Sequence, residues 1–267
     1  MIKYKVERIC GNIPKKERIK AMKKCGLVSI SFRKYSPEDI LKAMREADLE
    51  YIEWGGDVHA PHGNIEECEK IRALTEKYGI KIAEYGSYYK IAQSDSCLFS
   101  DVLASARALG TDIIRVWPGM NTPSDTVSEE DYQKFVADAR RICDEAPDMT
   151  IALECHPHSL TDEYHHALDF IKDVGRDNLK TFWQPNQYRN TEYNLESINA
   201  LLPYIVSAHV FSWKRKTRYP LSEGESNWKR YIELLCANDI NYMLEFMHDD
   251  RIETLTETAK VLKGWLN

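Results

Sequence analysis

The sequence predicts a single-domain α/β fold, a (β/α)8 TIM barrel, on three observations. Apolar runs of strand length alternate with helical stretches eight times, with no inserted domain. Alternation at this spacing implies right-handed crossovers and a parallel sheet, and eight such units in 267 residues suit a closed barrel. Successive runs in the second half also end on polar side chains: Glu154, Gln184, His209 and Glu245. A doubly wound open sheet is the competing arrangement. It would carry a glycine-rich phosphate loop after its first strand, where this chain has Ser31-Phe-Arg-Lys-Tyr35.

Residues 1–25 are basic and polar and read as a short helical or extended N-terminal extension, leaving 26–267 as the barrel. A basic run of this length fits a solvated helix face better than a nucleic-acid site. Leu27-Val-Ser-Ile-Ser-Phe32 is the first strand pattern. Ser36-Pro-Glu-Asp39 then opens a helix, with serine as N-cap and proline at the first helical position. Ile40, Leu41, Met44 and Ala47 share one face of that helix. Tyr51-Ile-Glu-Trp54 is the second strand, followed by a helix over 64–78 closed by Gly79. The third strand, over 80–84, leads to a helix over 96–109 closed by Gly110. Ile113-Ile-Arg-Val-Trp117 precedes Ser128-Glu-Glu-Asp131, which resembles a capping box. Strands over 149–154, 179–183, 205–210 and 242–246 precede helices over 161–174, 195–202, 227–237 and 252–265.

Composition narrows the function. The chain is 43% hydrophobic and 29% charged, as an ordinary globular protein is. A net charge of −6 argues against general nucleic-acid affinity. No apolar stretch approaches the roughly 20 residues of a membrane span, and no signal-peptide pattern opens the chain; a cytoplasmic protein is expected. Seven scattered cysteines without a C-x-x-C pair are expected to be reduced thiols. Cys155 alternates with Glu154 on its strand and should face packing rather than the barrel axis.

The chemistry concentrates in Thr150-Ile-Ala-Leu-Glu154-Cys-His156-Pro-His158. An apolar run delivers a carboxylate and then imidazoles, and Pro157, which cannot join a sheet ladder, marks the exit. Such groups at a strand's end suit a divalent-cation site or a proton-transfer site. Phe182-Trp-Gln184-Pro-Asn186, Val206-Ser-Ala-His209 and Tyr242-Met-Leu-Glu245 repeat the arrangement, so the four strands point to one site.

With these residues in place, the chain from Gly26 onward resembles the xylose isomerase-like TIM barrels. More narrowly, it is similar to the sugar phosphate isomerase/epimerase group that includes ketose 3-epimerases. Ile52-Glu-Trp-Gly-Gly-Asp57-Val-His59, Leu153-Glu154, Ala208-His209 and Leu244-Glu245 carry the resemblance. It implies one divalent ion, commonly Mn2+ with Zn2+ or Co2+ as alternatives, held by Glu154, Gln184, His209 and Glu245. Gln184 departs from the pattern, which has an aspartate there. Glutamine ligates through its carbonyl oxygen without charge, so this ligand set should hold its metal more weakly. Asn186 and His158 are alternatives for the fourth position.

The resemblance also implies an isomerase or epimerase of a small sugar or sugar derivative. Glu154 and Glu245 would remove and return a proton beside the carbonyl while the ion stabilises the enediolate. A lyase or dehydratase of the same barrel family is the first alternative, and a non-catalytic sugar-binding barrel the second. The family's DNA-repair endonucleases need a three-metal cluster with further ligands after the strand-seven histidine, where this chain has Val210-Phe-Ser-Trp213. Members often form dimers or tetramers. For substrate contact the candidates are His59 after the second strand, Glu84 and Trp117 ending the third and fourth, His156, and Arg215. The alternatives are a loop histidine for His59, packing for Glu84 and Trp117, ligand orientation for His156, and an exposed basic loop for Arg215.

Overall fold

The computed structural model describes residues 24–93 and 97–267, so most of the sequence's N-terminal extension lies outside the described residues. Eight strands close into an all-parallel barrel: β1 (Lys24–Val28), β2 (Tyr51–Gly55), β3 (Lys81–Lys90), β4 (Ile113–Trp117), β5 (Thr150–Glu154), β6 (Leu179–Trp183), β7 (Ile205–Val210) and β10 (Asn241–Leu244). β10 pairs with β1, Leu244 opposite Leu27, and with β7, Met243 opposite His209, so the ring is complete. The remaining two strands, β8 (Trp213–Lys214) and β9 (Thr217–Arg218), form a separate antiparallel hairpin after β7.

The helices follow the strands in turn: α1 (Pro37–Glu46), α2 (Ile65–Lys77), α3 (Phe99–Leu109), α4 (Glu129–Glu145), α5 (Tyr164–Val174), α6 (Thr191–Leu201), α7 (Glu225–Leu235) and α8 (Leu255–Leu266). Ser36 caps α1 by accepting from Asp39 N at 3.2 Å, and Ser128 caps α4 by accepting from Asp131 N at 3.1 Å. Gly110 and Gly175 end α3 and α5 in the left-handed region. α1 buries Ile40, Leu41 and Met44. Each such side chain contributes roughly 1.5–3 kcal/mol by leaving water.

Two of the strand boundaries that differ from the sequence reading move chemistry. β1 starts at Lys24 and stops at Val28; Ser29–Phe32 is a 3-10 turn. The turn carries Ser29 to Gly55, whose N–H donates to Ser29 Oγ at 2.9 Å. β3 runs six residues beyond Glu84, so Glu84 sits in mid-barrel opposite Glu53 rather than at a strand end. Among helices, Asn190 caps α6 four residues earlier than expected. α5 starts late because Thr161 Oγ1 instead donates to the carbonyl of Glu154 at 2.7 Å, tying the loop to the strand.

The barrel axis carries a charged layer. Glu53, Glu84, Arg115 and His209 are all at most 1% exposed. Gly86 makes room for it, since a Cβ there would run into Glu53 Oε1 and Arg115 Nη2. Glycine on this strand is therefore a close-approach requirement.

Candidate active site

Glu154 ends β5, Gln184 follows β6, His209 lies near the end of β7, and Glu245 follows β10. Their side chains converge on the C-terminal mouth of the barrel. One ligand atom each from Glu154, His209 and Glu245 lie within 4.8 Å of one another, all buried. His209 is held from below by a 3.2 Å contact between its Nε2 and Glu53 Oε2. If Nε2 donates in that bond, Nδ1 keeps its lone pair, and it lies 3.6 Å from Glu245 Oε1 with no hydrogen-bond partner of its own. Gln184 donates from Nε2 to the carbonyl of Cys155 at 2.6 Å. Its Oε1 is thereby a buried acceptor without a partner.

These orphaned atoms test whether a metal ion fits. Buried polar atoms are rarely left unpaired, yet Gln184 Oε1 and His209 Nδ1 both are, beside two carboxylates. The donor set of two carboxylates, an imidazole and an amide oxygen suits a divalent ion.

Electrostatics favour the same reading. For Glu245, burial and then the charge of Glu154 push the carboxyl up to about 7. For His209, burial opposes the proton, but Glu245 and Glu53 outweigh it and raise the imidazole to about 9. A cation is wanted between these carboxylates, and a bound ion would replace the proton.

The cavity above this floor has a volume of about 460 Å³ and is lined by Glu154, Gln184, Glu245 and an aromatic wall. Trp117 and His156 stack at 4.5 Å between centroids, and Tyr88 tilts against Trp117 at 5.7 Å. Trp213 and Phe246 close the opposite side, 5.7 Å apart. Four of the non-glycine residues with positive φ, namely Tyr88, His158, Arg215 and Phe246, line this same cavity. Backbone strain of this kind gathers at functional sites.

Of the substrate-contact residues expected from sequence, Trp117, His156 and Arg215 line the cavity. Two do not. His59 is buried away from it, in contact with Ser29 Oγ at 3.1 Å through Nδ1 and with the carbonyl of Tyr35 at 3.3 Å through Nε2. Its ring packs edge-on against Trp54, which makes it a structural histidine. Glu84 lies fully buried below the floor, accepting from Asn241 Nδ2 at 2.7 Å, because β3 continues past it. Asn186 faces its own loop, donating from Nδ2 to the carbonyl of Asp162 at 3.3 Å and accepting from Tyr188 N at 3.0 Å. His158, by contrast, does reach the cavity lining. Cys155 turns aside as expected, its Sγ 3.5 Å from Thr181 Oγ1.

Sequence reasoning missed Glu53 and Arg115. Arg115 donates from Nη1 to Glu154 and from Nε to Glu53 at 2.8 Å. The available signal was a lone charge inside each apolar strand, Tyr51-Ile-Glu-Trp54 and Ile113-Ile-Arg-Val-Trp117. A charge is almost never buried without a partner.

Comparison with known proteins agrees with this architecture. The family model for the xylose isomerase-like TIM barrel matches residues 41–265. A 3-dehydroshikimate dehydratase of Bacillus anthracis is 27% identical over 280 residues, covering 90% of this chain and 96% of that protein. The crystal structure of a probable 3-DHS dehydratase from Bacillus anthracis superposes with a TM-score of 0.74 at 24% identity, over 91% of this chain and 99% of that one. A D-psicose 3-epimerase from Clostridium cellulolyticum, solved with D-tagatose, gives 0.67 at 15% identity, over 90% and 97% of the two chains. At these identities the structural likenesses speak for the fold.

Proposed function

The chain belongs to the xylose isomerase-like TIM barrel family, and from that premise we propose a divalent-metal-dependent enzyme that removes the proton beside the carbonyl of a small hydroxylated ketone. The observation that carries the reading is the buried convergence of Glu154, His209 and Glu245 at the floor of the aromatic-walled cavity. Glu154, Gln184, His209 and Glu245 would hold the ion. An ion so held would polarise the carbonyl and stabilise negative charge on its oxygen.

The chain's own residues do the rest. Glu245, at the cavity floor beside Glu154, stands where it can accept the proton and return it. Arg115 fixes Glu154 from beneath the floor. Trp117 and His156 present a flat face for a ring or sugar face, and Arg215 contacts the substrate at the rim.

We take the reaction to be a dehydration, the activity named for the relative that is 27% identical. Base attack on the C–H beside the carbonyl places its electron pair in the enolate. Their return expels the β-hydroxyl, which takes up a proton and leaves as water. No oxidant is needed. An isomerase or epimerase is the second reading, favoured by both carboxylates facing the cavity, where one can remove a proton and the other return it.

The test begins with elemental analysis of the purified protein after a manganese soak, on the parent and on Glu245→Gln. About one equivalent in the parent and loss in the variant is expected. Hydroxylated cyclic ketones, beginning with 3-dehydroshikimate, are then incubated in deuterated water. A new ultraviolet absorbance identifies the dehydratase, and deuterium uptake without absorbance change identifies the isomerase. No metal and no exchange would leave the non-catalytic binding barrel.

A further inference from the structure

We propose that Ser31 is a positioning residue for Glu245, and that it acts through the backbone of Phe246. The inference rests on the reading above for what Glu245 does, and adds what holds it there.

Both peptide groups that flank Glu245 are tied to neighbouring units. Its own N–H donates to the carbonyl of Val210 at 3.1 Å, which continues the ladder with β7. On the other side β1 leaves the sheet at Val28, one position after Leu27 pairs with Leu244. There the N–H of Phe246 donates to Ser31 Oγ at 2.8 Å, across 215 positions of sequence. Ser31 is buried in the 3-10 turn that replaces the end of the first strand, so a hydroxyl stands where a ladder carbonyl would otherwise be.

Strain gives this bond its weight. Phe246 has a φ of +49°, the left-handed region, which is unfavourable for an aromatic residue. Such a conformation persists only where the surroundings over-determine it. The ring packs against Val28, Ile30 and Met243, and the guanidinium groups of Arg33 and Arg218 lie 5.9 and 4.6 Å from its centroid. Those contacts fix the side chain; the Ser31 bond fixes the plane of the Glu245–Phe246 peptide. Without that acceptor a part-buried N–H is left unpaired, and the turn relaxes by rotating this peptide. Glu245 then swings relative to Glu154 and His209, whose ligand atoms now lie within 4.8 Å of its own. Ser29 supplies the comparison. Two residues earlier on the same turn, it also accepts from a backbone N–H, that of Gly55 at 2.9 Å, but it holds β2 rather than the cavity floor.

The test titrates manganese calorimetrically into the parent, Ser31→Ala and Ser29→Ala, and follows urea unfolding of all three. Crystal structures of the parent and Ser31→Ala, grown without metal, are compared alongside. Each variant deletes one hydroxyl that accepts from a backbone N–H, so the two urea midpoints should fall alike. Manganese affinity is expected to drop about tenfold or more in Ser31→Ala alone. In its crystal, Phe246 should leave the left-handed region and the Glu245 carboxylate should leave its place beside Glu154 and His209. Parent-like manganese affinity in Ser31→Ala, an equal loss in Ser29→Ala, or an unmoved Glu245 overturns the proposal. If the alanine protein does not fold, Ser31→Cys, whose thiol is a weak acceptor, carries the same comparison. A parent that takes up no manganese rejects the metal enzyme. The position of Glu245 in the Ser31→Ala crystal then still decides the clamp, displaced in support and unmoved against it.

Discussion

Arg115 and Glu154 are joined by a buried hydrogen bond from Nη1 to Oε2, while the Nε of the same guanidinium holds Glu53 at 2.8 Å. One cation thus positions both a carboxylate of the cavity floor and the carboxylate that orients His209. Arg115→Met is expected to leave Glu154 buried without its cation and Glu53 with His209 alone. Stability should fall by about 3–5 kcal/mol, read from urea unfolding, and manganese uptake should fall with it. Arg115→Lys should recover only part, because an ammonium cannot reproduce the guanidinium fork. Unchanged stability in Arg115→Met would remove this role.

Gln184 sets the strength of the proposed metal site. Its Oε1 is a buried acceptor without a partner, and it contributes no charge. Gln184→Asp adds a third carboxylate to Glu154 and Glu245 and is expected to tighten manganese binding about tenfold, measured by calorimetric titration. Gln184→Leu should weaken it. Identical affinity across the three proteins would place Gln184 outside the ligand set.

Glu84 gives stability a pH signature. Burial first, and then the charge of Glu53, push its carboxyl up to about 8 from an ordinary 4.5. The folded value is raised, so its contribution is fully present below pH 4.5 and declines as pH rises through about 8. Glu53 acts oppositely. Burial works against its charge, but Arg115 and His209 prevail and hold it at about 2, so its contribution is present above 4.5 and lost toward acid. Glu84→Gln keeps an acceptor for Asn241 Nδ2 and removes the first effect. Urea midpoints of the variant should be flatter from about pH 5 to 8 than those of the parent; parallel curves would assign the titration elsewhere.

His59 separates structure from chemistry. It bridges Ser29 and the carbonyl of Tyr35, outside the cavity. His59→Ala is expected to destabilise the fold by about 1–3 kcal/mol, while manganese stoichiometry and ligand affinity at the mouth stay the same. A selective loss of ligand affinity with stability intact would return His59 to the substrate site.

The barrel and the convergence of Glu154, His209 and Glu245 at one mouth were legible in the chain because both follow local rules. Strand and helix periods, the Ser36 and Ser128 caps and the glycine stops depend on neighbours a few residues away. The polar residues that end β5, β6, β7 and β10 must meet at one mouth once parallel strands close. What the chain did not reveal is how far each strand runs and which charges meet inside. Glu84 read as a strand end because an apolar run stopped there, yet β3 continues to Lys90 through an irregular register beside β4. His59 read as a substrate contact, with a loop histidine as the alternative, because its partners, Ser29 and Tyr35, come from an earlier unit. The Arg115 pairs with Glu53 and Glu154 join residues 62 and 39 positions apart. Only barrel closure could make these pairings, because a buried charge takes its partner from whatever strand lies across the axis, and sequence proximity has no part in that choice.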